Sequence, residues 1–466
     1  MGIKLKCMGG TRTVTGSSHL VTCSSSKVLL DAGLFQGRRD QFYEKNSNFT
    51  YNPRELDALL LSHAHLDHCG NIPSLIKRGM RCKIYSTHAT RDLCKLMLED
   101  SGHIQEEDIR YVNKINRRLG KPLRKPLYTK KEASKAAKRR FQTFSYGHRF
   151  CAARNVFGTF YDAGHILGSA IVTLDIQEGE KNTKIGYAVD LGRNNLPMLN
   201  NPQVPKGLDY LIVETTYGGR MHAPIDEAQG RLQEAILRTI ERKGKIIIPA
   251  FTLARTQEIL YFLSNMIKEK AIPVIPVYVD SPLATDITEV FKYHNNYMNP
   301  QTNQAINNGD SPFEFLNLHF VRDQKESKTL NADKRPMVII AGSGMCESGR
   351  ILHHLKNTIE DSRNTILVVG YMAKDTLGRR IVERERFVHI YGVEHQLNAE
   401  VVILNSLSSH ADRQGLFEFI SACQPLKRVF LVHGDEEQTF ALFDFLKEKG
   451  INNAYMPLQN EEMELP

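Results

Sequence analysis

Residues 59–73 read LLLSHAHLDHCGNIP, an apolar run that ends in three histidines and an aspartate within six positions: His63, His65, Asp67 and His68. Such a cluster is poor core material, because each buried imidazole needs a hydrogen-bond partner and each buried carboxylate a counter-charge. A surface loop would carry these residues at no cost, but it has no reason to collect them. A metal site does. In extended backbone His63 and His65, two apart, point the same way, and Asp67 and His68 follow at the turn into the next helix. Two pairs of ligands can then face two ions, whereas a single ion needs only three or four ligands in all. Further ligands would have to come from other strand ends. The chain offers His165 in DAGHILG, Asp190 in AVDLG and His433 in LVHGD. Taken singly, each of these also has an ordinary structural reading; their shared position after a hydrophobic strand links them. Imidazole and carboxylate without thiolate suit Zn²⁺, with Mn²⁺ or Fe as alternatives.

The rest of the composition is that of a soluble globular chain. With 466 residues, 41% hydrophobic and 24% charged, two domains are expected. No apolar stretch is long enough to span a bilayer, and the first 22 residues lack a signal-peptide pattern. The eight cysteines are scattered and form no CxxC pair, which points to a reducing, cytoplasmic compartment and away from cysteine-bound zinc. The net charge of +9 favours a polyanionic partner. Between Arg110 and Arg140, thirteen Lys and Arg face one acid, Glu132. This segment reads either as a solvated helical face or as a surface that contacts phosphates.

Outward from the histidine cluster, the chain alternates in a regular way. IKLKCMGG, SSHLVTC, KVLLDAG and RELDALLLSH read as short strands, NIPSLIKRG as a helix closed by Gly79, and KIYSTHATRDLCKLMLEDSG as a strand feeding an amphipathic helix. From about Tyr217 the pattern becomes doubly wound, with KIIIPAF, IPVYVDSPLA, MVIIAGSG and TILVVGY as strands separated by helices. AEVVILNSLSSHAD and RVFLVHGDEE return to the earlier strand-then-ligand style. The expected organisation is one discontinuous domain, residues 1–209 and 401–466, interrupted by an inserted lobe at 210–400.

SHAHLDHCG resembles the signature of the metallo-β-lactamase fold, with Asp31 in LLDAG, His165 and Asp190 matching its other motifs. Glu214 in VETTYG, His410 in SSHAD and His433 in VHGD, with GSGMCESGRILHHLK, AFTLARTQEIL and VGYMAKDTLGRR, are similar to the β-CASP nucleic-acid hydrolases, a family that includes RNase J and the nuclease of pre-mRNA 3′-end cleavage. The resemblance runs from Gly9 to the VHGD motif. It implies an αββα metallo-β-lactamase sandwich with an inserted β-CASP α/β domain, and a zinc-dependent ribonuclease acting on single-stranded RNA. By the same resemblance His63, His65 and His165 bind one zinc, Asp67, His68 and His433 the other, and Asp190 bridges them. Asp31 orients a ligand imidazole; a turn-capping aspartate is its ordinary alternative. His410, backed by Glu214, acts as general acid and counts with Asp67 among the catalytic residues. Ser408 contacts substrate phosphate.

Histidine at the last motif, here His433, marks RNA-cleaving members, whereas DNA-repair members carry an apolar residue there. Arg255 opens a predicted helix and is a candidate substrate contact, with an ordinary surface arginine as the alternative. Gly342, Gly344 and Gly349 read either as a phosphate cradle or as a plain turn. Cys69, His88, His353 and His354 are expected to be ordinary residues. A homodimer is left open. The competing functions are a small-molecule hydrolase of the same fold, a DNA nuclease, and a nucleic-acid-binding scaffold with a dead centre. The last would be marked by lost ligands, and none of the seven is lost.

Overall fold

The computed structural model describes residues 2–37, 39–404 and 407–466, and of residues 39, 40 and 139 the backbone alone, so the Arg139 side chain of the basic segment lies outside the described atoms. The chain divides into two compact units, Met1–Met221 with Ser409–Pro466, and His222–Ser408.

The first unit is a pair of seven-stranded sheets. One runs in the order Glu461–Leu465, Ile3–Gly9, Ser18–Thr22, Lys27–Leu30, Ala58–Leu60, Lys83–Ser86 and Phe141–Thr143. The other runs Ala454–Tyr455, Arg428–Val432, Tyr210–Glu214, Lys181–Ala188, Ala170–Glu178, Val156–Asp162 and Arg149–Ala153. Strand alternation explains how they stack. Tyr210 and Ile212 join a core shared with Leu5, Leu30 and Leu60 of the facing sheet. Their neighbours Leu211 and Val213 face the other way, into a second core with Leu416 and Ile420 of the helix Arg413–Ala422 and Leu442 and Leu446 of the helix Glu436–Glu448. A strand buried on both faces reads as a continuous apolar run, as YLIVE does. On the first sheet Leu29 and Leu59, turned away from the shared core, are just as deeply buried. The layers are therefore helix, sheet, sheet, helix.

One helix is longer than its sequence suggests. The amphipathic stretch continues past Gly102, and the helix spans His88–Arg118. Gly102 does not end it. A Cβ there would lie 2.7 Å from the Lys130 backbone nitrogen and 2.9 Å from the Thr129 carbonyl carbon. The glycine admits the segment that starts the helix Lys130–Arg139, whose Thr129 and Glu132 form a capping box.

The second unit is built on a six-stranded sheet, in the order Leu318–Phe320, Val277–Val279, Val338–Ala341, Ile246–Pro249, Thr365–Val368 and Glu400–Ile403. Every pairing in it is parallel, with helices in the crossovers. Both edges of this unit differ from the 210–400 expectation. Tyr210–Glu214 pairs with Lys181–Ala188 and Arg428–Val432, so it belongs to the first unit. Glu400–Ile403 pairs with Thr365–Val368, so it belongs to the second. Both are short apolar-rich strands, one fully and one half buried, and a hydrophobic strand does not announce which sheet it will join.

Candidate metal centre

The residues singled out in the sequence sit where strands of the first unit end. His63 lies just past Ala58–Leu60, and His65 occupies the N-cap of the short helix Leu66–Cys69, which carries Asp67 and His68. His165 follows Val156–Asp162; its N–H and that of Ile166 donate to Ser169 Oγ, at 3.1 and 3.2 Å. Asp190 follows Lys181–Ala188, and His433 follows Arg428–Val432. Asp31, Asp190 and His433 hold left-handed backbone, with φ of 59°, 60° and 49°. That conformation is costly for residues with a Cβ and is found where surrounding structure imposes it. Gly33 closes the turn after Asp31. A Cβ there would lie 1.7 Å from the Asp67 carbonyl oxygen.

Two groups of ligand atoms converge on Asp190. His63 Nε2 and His165 Nε2 lie 3.3 and 3.4 Å from Asp190 Oδ2, and His65 Nδ1 lies 4.0 Å from it. Across the carboxylate, His433 Nε2 and His68 Nε2 lie 3.0 and 3.4 Å from Oδ1, and both are 3.9 Å from Asp67 Oδ2. Tetrahedral ligands about 2.1 Å from a cation are separated by about 3.4 Å, which is the spacing seen here. His68 Nε2 and Asp190 Oδ1 are buried and make no hydrogen bond. Buried polar atoms left in this state are uncommon, and a cation between them would satisfy both. The residues present therefore fit a metal, with Asp190 offering one oxygen to each group.

Charge states agree with that fit at His63, His165 and Asp190 and depart from it at His68. Burial and neighbouring His68 push His63 down to about 3, against the pull of Asp190. Burial and His410 push His165 well below its usual value. Burial would raise Asp190, yet His433 and His68 beside it hold its carboxyl well below the usual range. Neutral imidazoles and an ionised carboxylate are the forms that ligate. On His68 burial works downward, but Asp190, Asp67 and Asp31 outweigh it and raise the imidazole. A cation arriving at Nε2 would displace that proton.

Support behind the ligands comes partly from residues the sequence did not flag. Asp31 Oδ2 lies 2.7 Å from His68 Nδ1, which leaves Nε2 for a cation. The same carboxylate accepts from the Ser62 N–H and Oγ, both at 2.7 Å, and from the Tyr187 hydroxyl at 2.8 Å. Ser62 Oγ also lies 3.0 Å from His63 Nδ1. Ser62, adjacent to the motif, could have been noticed; Tyr187 is one apolar-run tyrosine among several and carried no signal.

His410 stands beside the ligands without belonging to either group. An isolated bridge to Gly192 holds its backbone, and its ring centroid is 4.5 Å from that of His165. Its Nδ1 is 3.1 Å from both oxygens of the fully buried Glu214, which also accepts the Leu191 N–H at 2.5 Å. Burial would lower this imidazole, but Glu214 and Asp190 raise it to about 9. Ser408 and Arg255 are in the second unit. There the Arg255 guanidinium pairs with Glu258 and donates to the Leu407 carbonyl. His354 is buried and bonded to Asp280.

A sandwich of this kind with a histidine–aspartate centre at its strand ends defines a metallo-hydrolase of the metallo-β-lactamase superfamily, whose family model matches residues 11–137. The β-CASP domain model matches 256–381, and a Zn-dependent metallo-hydrolase RNA specificity domain matches 394–457. The chain is 36% identical over 444 residues to ribonuclease TTHA0252 of Thermus thermophilus, covering 95% of each protein. It is 32% identical over 464 residues to the transcription termination factor FttA of Pyrococcus horikoshii, covering 96% of this chain and 68% of that one. The chain belongs to the β-CASP ribonuclease family of metal-dependent hydrolases. A crystal structure of a protein of unknown function from Enterococcus faecalis shares the fold, with a TM-score of 0.59 at 12% identity. No helix among the described residues is long and apolar enough to cross a membrane.

Proposed function

We propose that this protein hydrolyses phosphodiester bonds of single-stranded RNA, in RNA processing or decay, with two zinc ions at the centre described above. His63, His65 and His165 would hold one ion, Asp67, His68 and His433 the other, and Asp190 both. Zinc at these positions would supply Lewis-acid polarisation of the phosphodiester and a nucleophile at neutral pH. The chain's own residues do the rest. Glu214 fixes the His410 ring through Nδ1 and stabilises its protonated form. His410 delivers that proton to the departing ribose 3′-oxygen, so the products carry a 5′-phosphate and a 3′-hydroxyl. The single observation that carries this reading is the Glu214–His410 pair beside Asp190, whose two oxygens face different histidines. Hydrolysis of an unactivated diester needs both halves, an activated nucleophile and a protonated leaving group.

The test uses purified protein with 5′-labelled and internally labelled single-stranded RNA, with and without a chelator. Chelator-sensitive cleavage leaving 5′-phosphate ends is expected. Cleavage that survives the chelator, or that leaves a 2′,3′-cyclic phosphate, would remove the metal route.

A further inference from the structure

The strands that carry the ligand motif have a second charged feature at their other ends. The end of the helix Ile72–Lys77, the start of the strand Lys83–Ser86 and the helix Lys130–Arg139 border an open surface cavity of about 550 Å³. Lys77, Arg81, Lys83, Lys135 and Arg140 line it, against one carboxylate, Glu132. That carboxylate is committed. It accepts the Thr129 N–H at 2.8 Å in the capping box and lies 3.1 Å from Lys77 Nζ. The Arg140 guanidinium donates to the Arg81 carbonyl, which ties the two strand starts together. Among the described residues the side chains of Arg81, Lys83 and Lys135 have no carboxylate partner within ion-pair distance. Five cations from separate elements of the fold thus converge on one concavity with a net charge of four. A polyanion seated there would meet several of these cations at once.

This cavity is separate from the metal centre. Lys83 stands opposite Ala58 in the parallel pair of strands, and His63 lies five residues further along. At strand spacing that is about 16 Å. The cavity is far too large for a lone orthophosphate and falls in the size range of small-ligand pockets, about 300–1,000 Å³. Pro73, Ile76 and Ala136 add an apolar wall. Among the described residues no aromatic ring lines it, so a nucleobase would find surface but no stacking partner.

We propose that this cavity is a binding site for a nucleoside triphosphate, whose polyphosphate charge matches the cations and whose nucleoside rests on the apolar wall. Base identity matters little; the number of phosphates matters most. The loss of two cations weakens such a ligand by about tenfold, taking each contact as a partly exposed ion pair.

Calorimetric titration of the full-length protein with ATP, GTP, tripolyphosphate and AMP tests this, alongside an Arg81→Gln/Lys83→Gln variant. ATP and GTP should bind alike, tripolyphosphate more weakly than either for want of the nucleoside, and AMP at least tenfold more weakly than ATP; tripolyphosphate binding as tightly as ATP would overturn the proposal. The double variant should lose about tenfold for ATP while keeping its metal content and its turnover of a short single-stranded RNA. Unchanged ATP binding in the double variant would place the nucleotide at the metal centre and overturn the proposal. So would equal binding of AMP and ATP. If the short RNA loses as much affinity as ATP does, the cavity is an RNA contact instead. Lys135→Gln, a single change on an exposed helix face, provides the same ATP comparison if the double variant does not fold.

Discussion

Among the described residues, each of the two units buries an aspartate–histidine cluster, and the two differ in what their polar atoms are left to do. In the second unit Asp280 is fully enclosed, and every oxygen is used. Arg350 Nη1 lies 2.5 Å from Oδ1, while Ser327 Oγ and His354 Nε2 are 2.6 Å from Oδ2. His354 Nδ1 in turn meets Asn331 Oδ1 at 2.9 Å, and Arg350 also donates to the Val321 and Arg322 carbonyls. That network ties a strand end to two helices. In the first unit Asp190 and His68 each keep a buried atom with no hydrogen bond, and those atoms lie 3.4 Å apart. The same residue types make a brace in one place and a set of ligand atoms that fits a cation in the other. Satisfaction of the buried atoms, not residue type, separates them.

Substitution at the two aspartates is the sharpest way to break this comparison. Asp190→Ala should cut RNA hydrolysis on the order of 10⁴-fold, as removal of a central catalytic group does, and lower zinc content measured by elemental analysis. Asp280→Ala should leave zinc content and turnover of the folded enzyme intact. Equal metal loss from both would erase the distinction.

His410→Ala comes next, with turnover lower by about 10²–10⁴-fold and both metals retained. A substrate with a 3′-thio leaving group needs little protonation, so it should rescue His410→Ala but not Asp190→Ala. Release of zinc from His410→Ala would make this histidine a ligand.

Asp280→Ala has its own signature in stability. Leaving Arg350 and His354 without the buried carboxylate should cost about 3–5 kcal/mol in denaturant unfolding. A loss below 1 kcal/mol would mean the brace carries little.

Glu214→Gln should reduce turnover by about tenfold, in the same step as His410. It also tests the sign of the pH dependence. A raised imidazole keeps its proton to higher pH, so the acid-dependent rate is present below that pKa and falls as pH rises through it. Removing the Glu214 charge lowers the pKa, and the alkaline limb of kcat should move to lower pH. An unmoved limb would separate Glu214 from the acid.

The smallest effect is expected from the exposed cations at the end of the helix His88–Arg118. Reversing Arg110, Lys114 and Arg117 should weaken RNA binding without regard to sequence and flatten the log–log salt slope by about 2. An unchanged slope would return this face to simple solvation.

Much of this was legible in the residues themselves. The spacing HxHxDH after an apolar run points to metal ligands, because a buried strand end has little other reason to collect such groups, and β-strand and parallel α/β patterns follow from period-two and helical repeats. The long-range assignments were not legible. YLIVE and EVVI are equally apolar, yet one completes the ligand-bearing sheet and the other the second unit's sheet. Asp31 was expected beside a ligand imidazole, but which one, His68, was decided by the fold, as was Tyr187 against Asp31. The cations around the basic cavity stand up to about sixty positions apart in the chain, and only the packing of a helix against two strand starts assembles them. Local sequence thus determined which chemistry this protein can attempt, since ligand identity and spacing are properties of neighbouring residues. The tertiary structure decided which buried groups stay unsatisfied, because satisfaction depends on partners that distant segments either supply or withhold.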